Sequence, residues 1–167
     1  PRTNSQMAQR GKLSALTTLA SQINTGFIKP LWDRDAKKMS GFNAFIQANM
    51  VNVDENGNVT WSDLIASKGK MVKPELSAIN VEAGSITLQW SPAVTDAYSQ
   101  ASDKLYLAIV DSLENKAYAF SANAIRSAGT CSVASPLAVG SDFQVYAAFR
   151  REDGSVVSNS ATISYID

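Results

Sequence analysis

The sequence predicts an α+β chain: a helical segment over residues 1–73, with one short extended piece, followed by a β-sandwich over residues 74–167. Three observations predict it. Early apolar residues recur on a helical period, late ones alternate on a strand period, and the sign of the charge changes where the pattern does. Residues 1–73 hold ten basic and five acidic groups, net +5, whereas residues 74–167 hold five and ten, net −5. The whole chain of 167 residues is neutral, with 15 of each. The Lys73-Pro74 step marks the boundary, because proline fixes its own φ and turns the preceding residue away from helix.

The first helix is read from Leu16, Leu19, Ala20, Ile23 and Phe27, which form one stripe on a 3.6-residue period. Thr3 or Asn4 caps its start by accepting an orphan backbone N–H. Gly26 weakens the stripe, and Pro30 ends or kinks the helix. A second helix runs from about Ser40, its cap, to Met50, with Phe42, Phe45, Ile46 and Ala48 on its apolar face. Asn49 and Asn52 mark its exit. Asp54-Glu55-Asn56-Gly57-Asn58 is a turn, since Asn-Gly adopts positive φ readily. Val59 to Ile65 is expected to be extended.

Seven strands are expected after Pro74. Leu76 to Val81 opens the series. Ile86, Leu88 and Trp90 alternate with Thr87 and Gln89, so one face turns inward. Leu105 to Val110 is apolar on both faces, as in a central strand. Ala117 to Ser121 returns after the Leu113-Glu114-Asn115-Lys116 turn, and Gly129 to Ala134 is a fifth segment. Phe143, Val145, Ala147 and Phe149 alternate. The Asp153-Gly154 turn leads to a last strand from Val156 to Ile166. Seven short strands at this spacing pack as two sheets.

Composition excludes several kinds of chemistry. There is no histidine, and Cys131 is the one cysteine. Most zinc sites, Ser-His-Asp and Cys-His catalysis and an internal disulfide are therefore ruled out. No apolar run is long enough to cross a bilayer. No signal segment lies within the chain. A single thiol fits a reducing compartment such as the cytoplasm, and it also fits a secreted protein that needs no disulfide.

Ser85-Ile86-Thr87-Leu88-Gln89-Trp90-Ser91-Pro92 resembles the second strand of fibronectin type III domains, with its buried tryptophan. Leu137, Gly140, Phe143, Val145 and Ala147 match the spacing into their sixth strand, and Ser158 and Ser160 fall where their last strand often carries serines. The resemblance implies a fibronectin-III/immunoglobulin-like β-sandwich. Phe143 replaces the usual Tyr, so the tyrosine corner is expected to be absent. Over nearly its whole length the chain is similar to an uncharacterised bacterial domain-of-unknown-function family. The residues that carry this are Pro1-Arg2-Thr3, Gln6, Gln9-Arg10, Gly26-Phe27, Met39-Ser40-Gly41-Phe42-Asn43, Ser67-Lys68-Gly69 and Asp153-Gly154-Ser155-Val156-Val157-Ser158-Asn159-Ser160. Members usually carry a Gly-rich, basic stretch ahead of this opening, which implies that the fold here lacks a strand or an arm. The resemblance implies no reaction. The Pro-Arg-Thr opening also resembles phage and prophage virion proteins.

Candidate interaction residues are Trp32, Trp61, Arg10, Lys37 and Lys38. Exposed indole rings stack on sugars or anchor partners; burial between the halves is the plainer reading of Trp32 and Trp61. The cations Arg10, Lys37 and Lys38 can meet phosphates. Nucleic acid is nevertheless not favoured, because +5 is modest and no recognition motif accompanies it. Asp54, Asn56, Asn58 and Thr60 alternate like the start of a calcium loop, but Gly57 is fourth rather than sixth and Ile65 stands where the bidentate Glu belongs. No metal, cofactor or catalytic residue is assigned. Cys131 in a strand reads as a structural thiol. The function expected is non-enzymatic: a structural, assembly or interaction protein, virion- or prophage-related, with protein partners and a homo-oligomer among them. The alternative is a carbohydrate- or surface-protein-binding module that uses the sandwich loops. A carboxylate-dependent hydrolase is the third reading.

Overall fold

A computed structural model describes residues 3–82, 84–121 and 124–167. Pro1 and Arg2 of the opening motif lie outside the described residues. Helix α1 spans Asn4–Ile23. Thr3 is its cap: the Thr3 hydroxyl accepts from Gln6 N–H, and the Gln6 side chain accepts from Thr3 N–H. The helix does not stop at Pro30. It passes through a π-helical turn, Asn24–Ile28, into a short helix α2, Lys29–Trp32. Proline has no N–H to offer the Gly26 carbonyl. The Ser121 hydroxyl takes that place, donating to the Gly26 oxygen at 2.6 Å. Helix α3, Gly41–Asn49, is capped by Ser40.

Seven strands follow among the described residues: β1 Leu76–Glu82, β2 Ser85–Trp90, β3 Lys104–Asp111, β4 Lys116–Phe120, β5 Thr130–Ala134, β6 Phe143–Arg150 and β7 Ala161–Tyr165. They form two antiparallel sheets, ordered β1-β2-β5 and β4-β3-β6-β7. The α+β class and the seven strands are as read from the sequence. Two local readings change. Trp61–Asp63 is a 3-10 turn, and the extended structure there is limited to a Val53–Val59 bridge. The last strand begins at Ala161 rather than Val156. Val157 still bridges Arg150 of β6, and residues 157–160 also hydrogen-bond to the connector that leads into β1.

The four-stranded sheet lies between two cores. Leu105, Leu107, Ile109, Val145, Ala147 and Phe149 face the other sheet, with Ile86, Leu88 and Trp90. The alternate residues Tyr106, Ala108, Val110, Tyr146 and Ala148 face the helices, with Leu16, Leu19, Ile23, Phe27 and Phe45. β3 and β6 are thus buried on both faces, which is why their sequences lack an exposed polar alternation. Small residues on the helix side let the helices approach: a methyl placed on Gly26 would lie 2.9 Å from the Ala119 Cβ.

Candidate functional site

A cleft of about 580 Å³ lies between α1, the 54–60 turn and the β3–β4 hairpin. Each wall is held by its own chemistry. The Asp54 carboxylate accepts from the backbone N–H of Asn56 and Asn58 and from the Asn58 side chain, at 2.8–2.9 Å. The hydrogen bonds from Asn58, foremost its side chain, hold the Asp54 carboxyl below its ordinary pKa. Gly57 closes the turn at φ 88. Asp111 caps the hairpin by accepting from Leu113 and Glu114 N–H at 3.0 Å. Gln22 ties α1 to the same hairpin, donating to the Asn115 carbonyl at 3.0 Å and accepting from Ala117 N–H at 2.8 Å. The calcium-loop residues are therefore the hydrogen-bonding scaffold of one cleft wall.

Trp61 lines this cleft and is half-buried against the helical core. Its carbonyl accepts from the Tyr146 hydroxyl, a group whose pKa burial pushes up. Ser14, Thr18, Asn56, Ser112 and Asn115 line the same cleft, and among the described residues no charged side chain lines it. Trp32 lies elsewhere. Its indole N–H donates to the Ala66 carbonyl at 2.8 Å, and its ring meets Phe45 edge to face with centroids 6.0 Å apart. Trp32 thus staples α2 to the connector. Lys37 and Lys38 are exposed in the loop before α3, Lys38 at φ 62. Arg10 is exposed on α1, among turns that contain no buried residue before Leu16. The structure does not bring these five residues together.

Several structural residues escaped sequence reasoning. Asp103 is fully buried, with Arg151 Nε 3.0 Å from one carboxylate oxygen and Arg126 Nε 3.5 Å from the other. The Arg126 guanidinium lies 3.9 Å from the centroid of Phe149, and its carbonyl accepts from the Trp90 indole at 2.8 Å. Burial lowers the pKa of Arg126, while Asp103 and then Asp96 push it back up. Arg126 Nε makes no directed hydrogen bond, so the Asp103 charge, the Phe149 face and a hydrogen bond from Nη2 to the Val72 carbonyl at 3.3 Å hold the guanidinium. Asn49, read as a helix exit, is fully buried and bonds both the N–H and the carbonyl of Ile65. Burial pushes the Cys131 thiol up to about 11, which leaves it protonated and a poor nucleophile near neutrality.

Two of the motif segments meet as one seam. Ser67 donates to the Ser158 carbonyl at 2.7 Å, and Gly69 N–H donates to the Asn159 side chain at 3.1 Å. Ser160 N–H donates to the Ser67 carbonyl at 3.0 Å, and Met71 N–H to Val157 at 3.1 Å. A side chain on Gly69 would run into the Val157 carbonyl, so the close approach requires glycine there. No curated protein and no solved structure matches the chain. A family model described as a family of unknown function matches residues 1–164. That match takes in the helices, the seam and both sheets, so this chain belongs to the family of unknown function DUF6266.

Proposed function

We propose that the chain is a non-enzymatic assembly protein that docks onto further copies of itself through α1. The observation that carries this reading is the exposure of α1. Its first three turns are capped, yet no described residue before Leu16 is buried. A short helix in water is only marginally stable unless a partner covers it. Along its length α1 carries Arg10 and Lys12 and no acidic group, with Met7 and Leu13 exposed.

A complementary surface lies at the end of the sandwich where β6 begins. Glu82, Asp142 and Asp167 are exposed there, beside Val139 at 99% exposure and Ile166 at 77%. A cationic helix with apolar side chains fits an acidic surface with apolar knobs, and a head-to-tail contact of this kind builds chains or rings. The β1-β2-β5 and β4-β3-β6-β7 sheets support a fibronectin-III-like body for such a role. The Pro-Arg-Thr opening supports a virion or prophage setting.

Light scattering across protein concentration and salt tests the reading. Mass is expected to rise with concentration at low salt and to fall as salt is added. Arg10→Glu should weaken association, and adding Asp142→Lys should restore part of it. A monomer at every concentration would overturn the proposal.

A further inference from the structure

We propose that the cleft beside Trp61 binds a short neutral oligosaccharide. This goes beyond the docking role and does not depend on it. The argument starts from what the lining offers. Ser and Thr hydroxyls and Asn amides each donate and accept, as sugar hydroxyls do. Among the described residues, no intramolecular hydrogen bond engages the side chains of Ser14, Thr18, Asn56, Ser112 or Asn115, or the indole N–H of Trp61. Ser14, Thr18, Asn56 and Asn115 are exposed and Ser112 and Trp61 half-buried, so these donors and acceptors are open to a ligand along one cleft.

The absence of charge in the lining selects among ligands. An ionic ligand would lose its hydration without gaining a counter-charge. A purely apolar ligand would strip water from these exposed polar groups without replacing its hydrogen bonds, which is costly. A neutral polyol with apolar C–H faces satisfies both constraints: its hydroxyls meet the amides, and its ring face meets Trp61, Val59 and Leu19. The volume of about 580 Å³ falls in the range of small-molecule sites and admits a di- or trisaccharide. A peptide is disfavoured, because strand addition needs a free backbone edge. Here the walls are an α-helix, a turn tied to Asp54 and a hairpin tied to Gln22 and Asp111. Those ties also hold the walls in place before a ligand arrives, which lowers the entropy lost on binding.

The test is an amide chemical-shift titration of the full chain with cellotriose, maltotriose and triacetylchitotriose, each to about 10 mM, a concentration that detects millimolar binding. At least one should give saturable shifts confined to residues 14–18, 56–61 and 112–115. Asn56→Ala combined with Asn115→Gly removes two ligand-facing amides that the fold does not use. Glycine keeps the positive φ of 50 at position 115. This double variant should weaken binding by about tenfold or more while leaving the rest of the spectrum in place. Trp61→Leu should do the same, with thermal unfolding followed in parallel. The proposal is overturned if none of the three sugars shifts these amides. It is also overturned if the double variant binds within about twofold of the parent, or if trigalacturonate or a Gly-Asn-Ser peptide binds more tightly than every neutral sugar.

Discussion

Asp103 shows what a single buried charge does in this molecule. It sits at 0% exposure between Arg126 and Arg151, and its second oxygen also accepts from Gln100 N–H at 2.6 Å. Asp103→Ala leaves the buried Arg126 without its nearest counter-charge and is expected to cost about 3–5 kcal/mol. Urea denaturation should show this as a lower midpoint at unchanged slope. Cys131 makes a prediction in pH. Burial raises its thiol from 9.0 to about 11 in the folded state. Above pH 9.0 the unfolded chain releases that proton while the folded chain keeps it until about 11. Stability should therefore fall across this interval, and Cys131→Ala should flatten part of the fall once its own cavity cost is subtracted. At pH 8 the thiol should react with a disulfide reagent far more slowly than in guanidinium.

The helix α1 and the turn that follows show how an element is fitted to a sheet. Gln22 covers the edge of β4 with one donor and one acceptor, which blunts an edge otherwise open to pairing. Gly26 brings the π-helical turn against Ala119, and the carbonyl that Pro30 cannot serve is taken by Ser121. Gly26→Val would force this contact apart and is expected to cost about 1–3 kcal/mol, read as a lower thermal midpoint. Gly11 is the opposite case. A methyl there meets nothing within 4 Å, so Gly11→Ala should steady the exposed arm by about 1 kcal/mol and slow amide exchange over residues 4–12.

At the scale of the whole molecule, the chain is three layers that share a central sheet. The helices cover one face of β3 and β6, and the second sheet covers the other. Residues 74–167 expressed alone would expose Tyr106, Val110 and Tyr146, which belong to the helical core. That fragment is expected to bind a hydrophobic dye and to self-associate. In the intact chain, far-ultraviolet dichroism and tryptophan fluorescence should report one coincident unfolding transition, because both cores run through the same two strands. Two separate transitions would show that the helical layer and the sandwich fold independently.

The sequence by itself determined the element types. Period, alternation, apolar runs and turn residues placed α1, α3 and the seven strands, with the start of the last one corrected by the structure, because each signal is local. Trp90 was legible for the same reason, as an inward position on an alternating strand, and Cys131 as a thiol in a strand with no histidine to activate it. The lone thiol and the missing imidazole were legible as composition. Only the tertiary structure decided which faces meet. It placed Trp61 along a cleft and tied the indole of Trp32 to the Ala66 carbonyl, both half-buried against the helical core, although both tryptophans sit in similarly polar surroundings in the sequence. It joined Ser67 to Ser158 and Asp103 to Arg126, and it made Asn49, the last residue of α3, a buried tie to Ile65 as well as a helix exit. These pairings join residues that are distant along the chain, so no local period records them. They exist because a buried polar group must find a partner wherever the fold brings one within reach.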